Sequence, residues 1–359
     1  MRRFLIIFLV LACWCSGEAK QKTMDRTLFY PSIDQHGNAL ILSGKLCIPD
    51  GQKPKGIILS PHFTISANEE APSNKLTGEA KYFKDQYVLV MPDYIGYGVT
   101  SERVHPYLHG ELTARNCVDM LLYAQPILDS MALGIPLDSI YIVGYSQGGA
   151  VALWTLKLIE QEYAGKIYVK KCFVGSAPSD VATTYDDAIS RNYTSVPAVI
   201  PMLVMGTSEA YNLHLQPEDF LSPAMMRIYN KYIKEKNQRM IPLYFRMPNH
   251  KVSYWMTTSG MDKTQPQTKR LYEGLLRSSL VHYDINNNAV DSICPTWTPQ
   301  TPLFVFHSKN DDLVTFQNAL HLQRCYQSVP NITWDFDKYG GHIRSMFTFL
   351  PKVQALLEE

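Results

Sequence analysis

The chain reads as an α/β protein with a mostly parallel central sheet, helices on both faces and one long helical insertion after the sixth strand. Three observations carry that reading. Short, near-continuously apolar runs alternate with segments that are apolar at helical spacing, as strands buried on both faces require. One strand, turn and helix, Ser139 to Leu156, has sharp boundaries. Between Pro178 and Thr301 the alternation stops, and helix-like pieces rich in Met, Tyr and Leu take its place.

The first residues stand outside this fold. Arg2 and Arg3 precede an apolar run, Phe4 to Ala12, too short to span a bilayer comfortably. Residues 1–19 therefore read as an export signal. Two processing routes fit it. Gly17-Glu18-Ala19 offers small residues for cleavage before Lys20, while Leu9 to Cys13 resembles a bacterial lipoprotein box that would leave Cys13 as a lipid anchor. Either route makes the mature protein an exported one: secreted, periplasmic or membrane-anchored.

Elements follow in order. Ala39 to Gly51 reads as a strand pair or one extended strand closing in the turn Pro49-Asp50-Gly51. Lys55 to Phe63 and Tyr87 to Gly98 each hold a short apolar strand running into a loop. Glu111 to Leu128 is a helix, with Val118, Leu121 and Leu122 at core spacing and Arg115 and Asp119 placed to pair. The Ser139–Leu156 unit comes next, then a strand in Lys170 to Asp180. After the insertion come a strand in Thr301 to Asp311, a helix over Leu313 to Gln327, a strand in Ile332 to Gly341 and a closing helix from His342. The expected division is a core of 20–180 and 301–359 with a helical cap over 181–300, since structureless loops of that length are rare.

Bulk properties narrow the function. A hydrophobic content of 46% with 19% charged residues over 359 residues suits a globular enzyme rather than a disordered chain. A net charge of +1 supplies no field for nucleic acid. The seven cysteines are scattered without C-x-x-C spacing, which argues against a metal site. Beyond Cys13 and Cys15, each reads as a small buried hydrophobe; at most one pair is disulfide-linked, and the sequence leaves the pairing open.

The chemistry centres on Gly144-Tyr145-Ser146-Gln147-Gly148, where β-branched residues lead in and a helix leads out. A serine on such a turn has its hydroxyl presented above the sheet edge, and only small neighbours fit beside it. This is the G-x-S-x-G nucleophile elbow. A serine hydroxyl is a poor nucleophile, so it needs a base and a group to orient that base. A site for the oxyanion is needed as well. The base should follow the last strand, and Gly340-Gly341-His342 does, with two glycines to turn the backbone. His36, His109, His214, His250, His282 and His321 lack a strand-end context and read as surface or satisfied core residues. The N–H of Gln147 is one expected oxyanion donor. The second belongs to Pro61-His62-Phe63-Thr64, with Thr64 the choice and Phe63 the alternate. His62 is placed to support that loop by hydrogen bonding, and a catalytic role is equally open to it.

The chain resembles the α/β-hydrolase superfamily, of the secreted lipase/esterase type, over nearly all its mature length. Beyond the elbow, the resemblance rests on Pro92-Asp93-Tyr94-Ile95-Gly96-Tyr97-Gly98, His105-Pro106-Tyr107-Leu108 and Gly175-Ser176-Ala177-Pro178-Ser179-Asp180. Asp93 and the glycines read as loop architecture. His307-Ser308-Lys309-Asn310-Asp311-Asp312-Leu313-Val314 resembles the family's His-Gly-x-x-Asp-x-x-Val segment, with serine in place of glycine. That register makes Asp311 the acid. Asp312 is the competing choice, and equally a helix cap. The resemblance implies an α/β-hydrolase fold and carboxylic ester hydrolysis through Ser146, His342 and Asp311, with an acyl-enzyme and neither metal nor organic cofactor. A peptidase on the same fold is the second reading, and a non-catalytic binding protein the third. Whether the substrate is a small-molecule ester or one linked to a polysaccharide (lipid acyl, acetyl or feruloyl) stays open.

Overall fold

A computed structural model describes residues 23–50, 53–131, 133, 135, 137, 139–283 and 293–359. The export signal, its lipoprotein-type Cys13 and Gly51 of the early turn lie outside the described residues.

Eight strands form one sheet: β1 (Thr23–Ile33), β2 (Ala39–Pro49), β3 (Ile57–Leu59), β4 (Val88–Pro92), β5 (Ile140–Tyr145), β6 (Val169–Gly175), β7 (Leu303–Ser308) and β8 (Ile332–Asp337). Their spatial order is β1-β2-β4-β3-β5-β6-β7-β8. The β1–β2 and β2–β4 pairs are antiparallel and the rest are parallel. Side chains alternate faces along each strand. Val88 and Val90 of β4 join one apolar cluster, while Leu89 and Met91 join the opposite one.

The first face is covered by α1 (Gly110–Ser130), α2 (Gln147–Glu162) and α6 (Gln317–Tyr326), and the second by the last helix, α7 (His342–Glu358). Between β6 and β7 lie α3 (Val181–Ser190), α4 (Val199–Ala210), α5 (Pro266–Ser278) and several shorter helical turns. Beyond two isolated bridges, no strand is formed there among the described residues. These helices build a third apolar cluster that also takes in Tyr107, Leu108 and Ala150 from the sheet-bearing part.

Some expectations need correction. The edge strand β1 has no counterpart in the sequence reading. Leu28, Tyr30 and Ser32 point inward, but Phe29 is 55% exposed on the other face, so apolar residues on both sides hide the period of two. Pro31 within it is tolerated because the strand lies at the edge. The helix expected from Leu313 begins only at Gln317, with Phe316 as its N-cap, so Asp312 does not cap it. Arg115 pairs with Glu162 and the Tyr163 hydroxyl, and Asp119 instead accepts from the Ser32 hydroxyl at 2.7 Å. In Ser222 to Lys236, the α-helix covers Pro223–Ile228 and gives way to a π turn. Among the described residues one disulfide forms, Cys294–Cys325, and Cys47, Cys117 and Cys172 are buried thiols.

Candidate active site

The parallel register brings the ends of four neighbouring strands, β5 to β8, to one edge of the sheet. Tyr145 of β5 pairs with Gly175 of β6, Gly175 with Phe306 of β7, and Ser308 of β7 with Asp337 of β8. Ser146 follows β5, Asp311 follows β7 and His342 follows β8, so side chains nearly two hundred residues apart converge on one edge.

Ser146 is held at φ 57° and ψ −123°, a backbone region that costs a non-glycine residue about 1–3 kcal/mol. Its neighbours permit the strain. A Cβ on Gly144 would strike the Gly148 carbonyl, and one on Gly148 would strike the Pro61 carbonyl. The Ser146 N–H donates to the Gly175 carbonyl at 2.8 Å, tying the turn to β6. The Ser146 Oγ lies 2.8 Å from His342 Nε2, and His342 Nδ1 lies 2.8 Å from Asp311 Oδ2. A carboxylate only accepts, so Nδ1 carries the proton and Nε2 is free to take one from the serine.

Asp311 is well anchored. Its Oδ1 accepts the N–H groups of Leu313 at 3.0 Å and Val314 at 2.8 Å. Burial by itself would raise its pKa, but the charge and hydrogen bond of His342, with His307 and the Leu313 N–H, hold it below the usual carboxylate range. Asp312 does a different job, accepting the backbone N–H of His342 at 2.9 Å. The two carboxylates thus hold the two ends of one histidine, side chain and backbone. His307 bonds the Val314 carbonyl at 3.0 Å and buttresses the acid loop.

Two supports were missed in the sequence. The Tyr145 hydroxyl donates to the His342 carbonyl at 2.6 Å and meets Ser345 Oγ at 2.8 Å. The residue before the serine therefore steadies the histidine, and only a tyrosine at the variable position of the elbow hinted at it. Likewise His105, read only as part of a motif, contacts the Gln147 side chain at 2.7 Å.

Gln147 opens α2, so its N–H has no intrahelical acceptor and points from a helix N-terminus. The Thr64 hydroxyl meets the Tyr107 hydroxyl at 2.7 Å. The Phe63 carbonyl lies 2.6 Å from His62 Nδ1, and the Asp93 carbonyl lies 3.1 Å from His62 Nε2. His62 stacks on Tyr94 at 4.0 Å. These contacts make it a support of the loop. Asp93 is fully buried and accepts from Ser43 Oγ at 2.6 Å and Ser73 N at 2.7 Å, which fits loop architecture.

Above Ser146 opens a pocket. Core residues Tyr107, Pro178, Leu313 and Val314 form part of its wall; Val181, Tyr185, Ile189, Val199 and Leu203 of the inserted helices form much of the rest. The lining is almost wholly apolar. Both lining tyrosine hydroxyls are engaged, Tyr107 with Thr64 and Tyr185 with the Gly260 carbonyl at 2.6 Å. Among the described residues, no group of three His, Cys, Asp or Glu side chains is placed to hold a metal ion.

Sheet order, elbow and strand-end geometry define an α/β-hydrolase fold, and solved structures agree. The esterase LipA of Xanthomonas oryzae, described as degrading rice cell walls, superposes with a TM-score of 0.77 at 20% identity, over 95% of this chain and 90% of that one. Lipase A of Candida antarctica in its closed state gives 0.64 at 16%, over 94% and 78%. The secretory lipase family model matches residues 80–358, and the chain belongs to that family. Lipase 1 of Candida albicans is 23% identical over 357 residues, covering 92% of this chain and 70% of that protein.

Proposed function

We propose that the protein is an exported serine hydrolase that cleaves carboxylic esters. The carrying observation is the pair of 2.8 Å contacts linking Ser146 Oγ, His342 and Asp311. As the serine oxygen attacks the ester carbonyl, its proton passes to His342 Nε2, and Asp311 stabilises the imidazolium that forms. The carbonyl oxygen takes up negative charge facing the Gln147 N–H and the Thr64 side of the loop. Collapse of this intermediate expels the alcohol, which takes the proton from His342. Water then attacks the acyl-enzyme with His342 again as base, releasing the acid and restoring the serine.

Residues 181–300 act as a cap that roofs the apolar cavity and receives the acyl group. Tyrosine hydroxyls already engaged elsewhere favour an aliphatic acyl group over a feruloyl or sugar-bearing one, since a polar group there would stay unpaired. Export is supported by the secretory description of the family. It accords with an N-terminal signal ending near Ala19 or a lipid anchor at Cys13.

The test is direct. A fluorophosphonate probe should label the mature protein and fail to label Ser146→Ala; a labelled alanine variant overturns the serine assignment. The wild type should also turn over p-nitrophenyl esters faster than aminoacyl anilides, and the reverse order would make it a peptidase.

A further inference from the structure

The segment His105-Pro106-Tyr107 touches both sides of the oxyanion site at once. His105 Nδ1 lies 2.7 Å from the Ile95 carbonyl. A carbonyl only accepts, so Nδ1 carries the proton and Nε2 is left as an acceptor. Gln147 Nε2 donates to it at 2.7 Å. Burial pushes His105 down to about 3, so it stays neutral and keeps that acceptor through the range where the enzyme works. Two residues on, the Tyr107 hydroxyl meets Thr64 Oγ1 at 2.7 Å, and Tyr107 itself lines the cavity that holds Ser146.

We infer that His105 and Tyr107 are positioning residues that jointly hold the two halves of the oxyanion site, His105 through the Gln147 side chain and Tyr107 through the Thr64 hydroxyl. This deepens, and rests on, the serine-hydrolase reading. Either hydroxyl can donate in this contact; with Tyr107 donating, the threonine proton is free to turn toward substrate and Thr64 offers a hydroxyl donor. His105 fixes the side chain of the residue whose backbone N–H forms the other donor, and so the orientation of the first turn of α2. The linker is stiff. Pro106 restricts the backbone, and the Tyr107 N–H closes a tight turn on the His105 carbonyl at 2.7 Å. The cap braces it from outside: a Cβ on Gly206 of α4 would come within 2.7 Å of the Tyr107 nitrogen and 3.0 Å of the His105 carbonyl, so the helix packs directly on this turn.

Tyr107→Phe removes one hydroxyl and keeps the cavity wall. It should lower kcat about 10- to 100-fold with KM within about twofold, because the lost alignment matters in the transition state. The inhibition constant of a trifluoromethyl ketone, whose adduct carries an oxyanion, should rise by the same factor as kcat/KM falls. His105→Leu should behave alike, and His105→Gln, which restores an acceptor for Gln147, should recover most of the loss. The Thr64→Val, Tyr107→Phe double variant should be no slower than Thr64→Val alone. Additive losses, or Tyr107→Phe activity and ketone affinity within twofold of wild type, would overturn the inference. If either outcome occurs while Ser146→Ala is inactive, only the positioning role fails. An active Ser146→Ala overturns the underlying hydrolase reading instead. Should His105→Leu fail to fold, the Thr64–Tyr107 cycle decides alone.

Discussion

Glu79 is buried near the Phe63 backbone, and neither carboxyl oxygen has a partner in hydrogen-bonding geometry. Desolvation pushes its pKa from 4.5 to about 7, although the Phe63 backbone and Thr77 lie near enough to favour the charge slightly. The folded chain therefore keeps a proton that the unfolded chain releases between pH 4.5 and 7. Stability falls as pH rises through that window and levels off above it, a loss of up to ~3 kcal/mol. Glu79→Gln, neutral at every pH, should gain on the wild type across the same interval. Urea unfolding at pH 4.5 and pH 8 checks this, and a difference that does not change with pH would refute it. Nothing in the sequence set Glu79 apart from the exposed Glu69 or from the half-buried Glu70, whose carboxylate accepts the Ser66 and Ala67 N–H groups. Glu79 directly precedes the short helix Ala80–Phe83, whose Phe83 packs with the last helix on the second face of the sheet.

At the scale of elements, Asp180 ties three of them together. It caps α3 through the Thr183 N–H at 2.9 Å and accepts from His321 of α6 at 2.7 Å. It also accepts from His282, where the chain returns from the insertion, at 3.0 Å. The carboxylate thus joins the start of the insertion to the segment where it returns. Burial alone would raise its pKa, but the hydrogen bonds of His282 and His321, with the Thr183 N–H, bring it down to about 2. With a folded pKa below the unfolded 3.8, its stabilisation is present above pH 4 and lost as pH falls toward 2. Asp180→Asn keeps a capping side chain but not the charge. It should cost about 2 kcal/mol at pH 7, and the gap should close in acid. Thermal unfolding at pH 7 and pH 3 measures it; a constant gap would assign the loss to the cap alone. Reading His282 and His321 as satisfied core residues was sound, but that one aspartate satisfies both was invisible, because they lie 102 and 141 residues from it.

For the whole molecule, the consequence is a binding space made jointly by core and insertion. Ala188 of α3 lines that space, and Ala188→Phe would fill part of it. The expected result is a fall of about tenfold or more in kcat/KM for a decanoyl ester, with acetyl ester turnover little changed. Competing p-nitrophenyl esters measure the ratio, and equal losses on both would remove Ala188 from the acyl path.

Local chemistry alone determined the elbow, the histidine expected to be the base and most of the parallel sheet, while Asp311 was reached through the resemblance of its segment to the family's. The first three are written in short-range terms: glycines where no Cβ fits, apolar runs of strand length, and a histidine after two glycines. Tertiary structure decided what depends on partners distant in the chain. It separated Asp311 from Asp312 by which end of His342 each one meets, distances no spacing rule encodes. It hid β1, whose inward residues are recognisable only against β2. It paired Cys294 with Cys325. It also turned His105 and Tyr107 from motif letters into contacts, because hydrogen bonds and burial belong to the packed chain rather than to any segment of it.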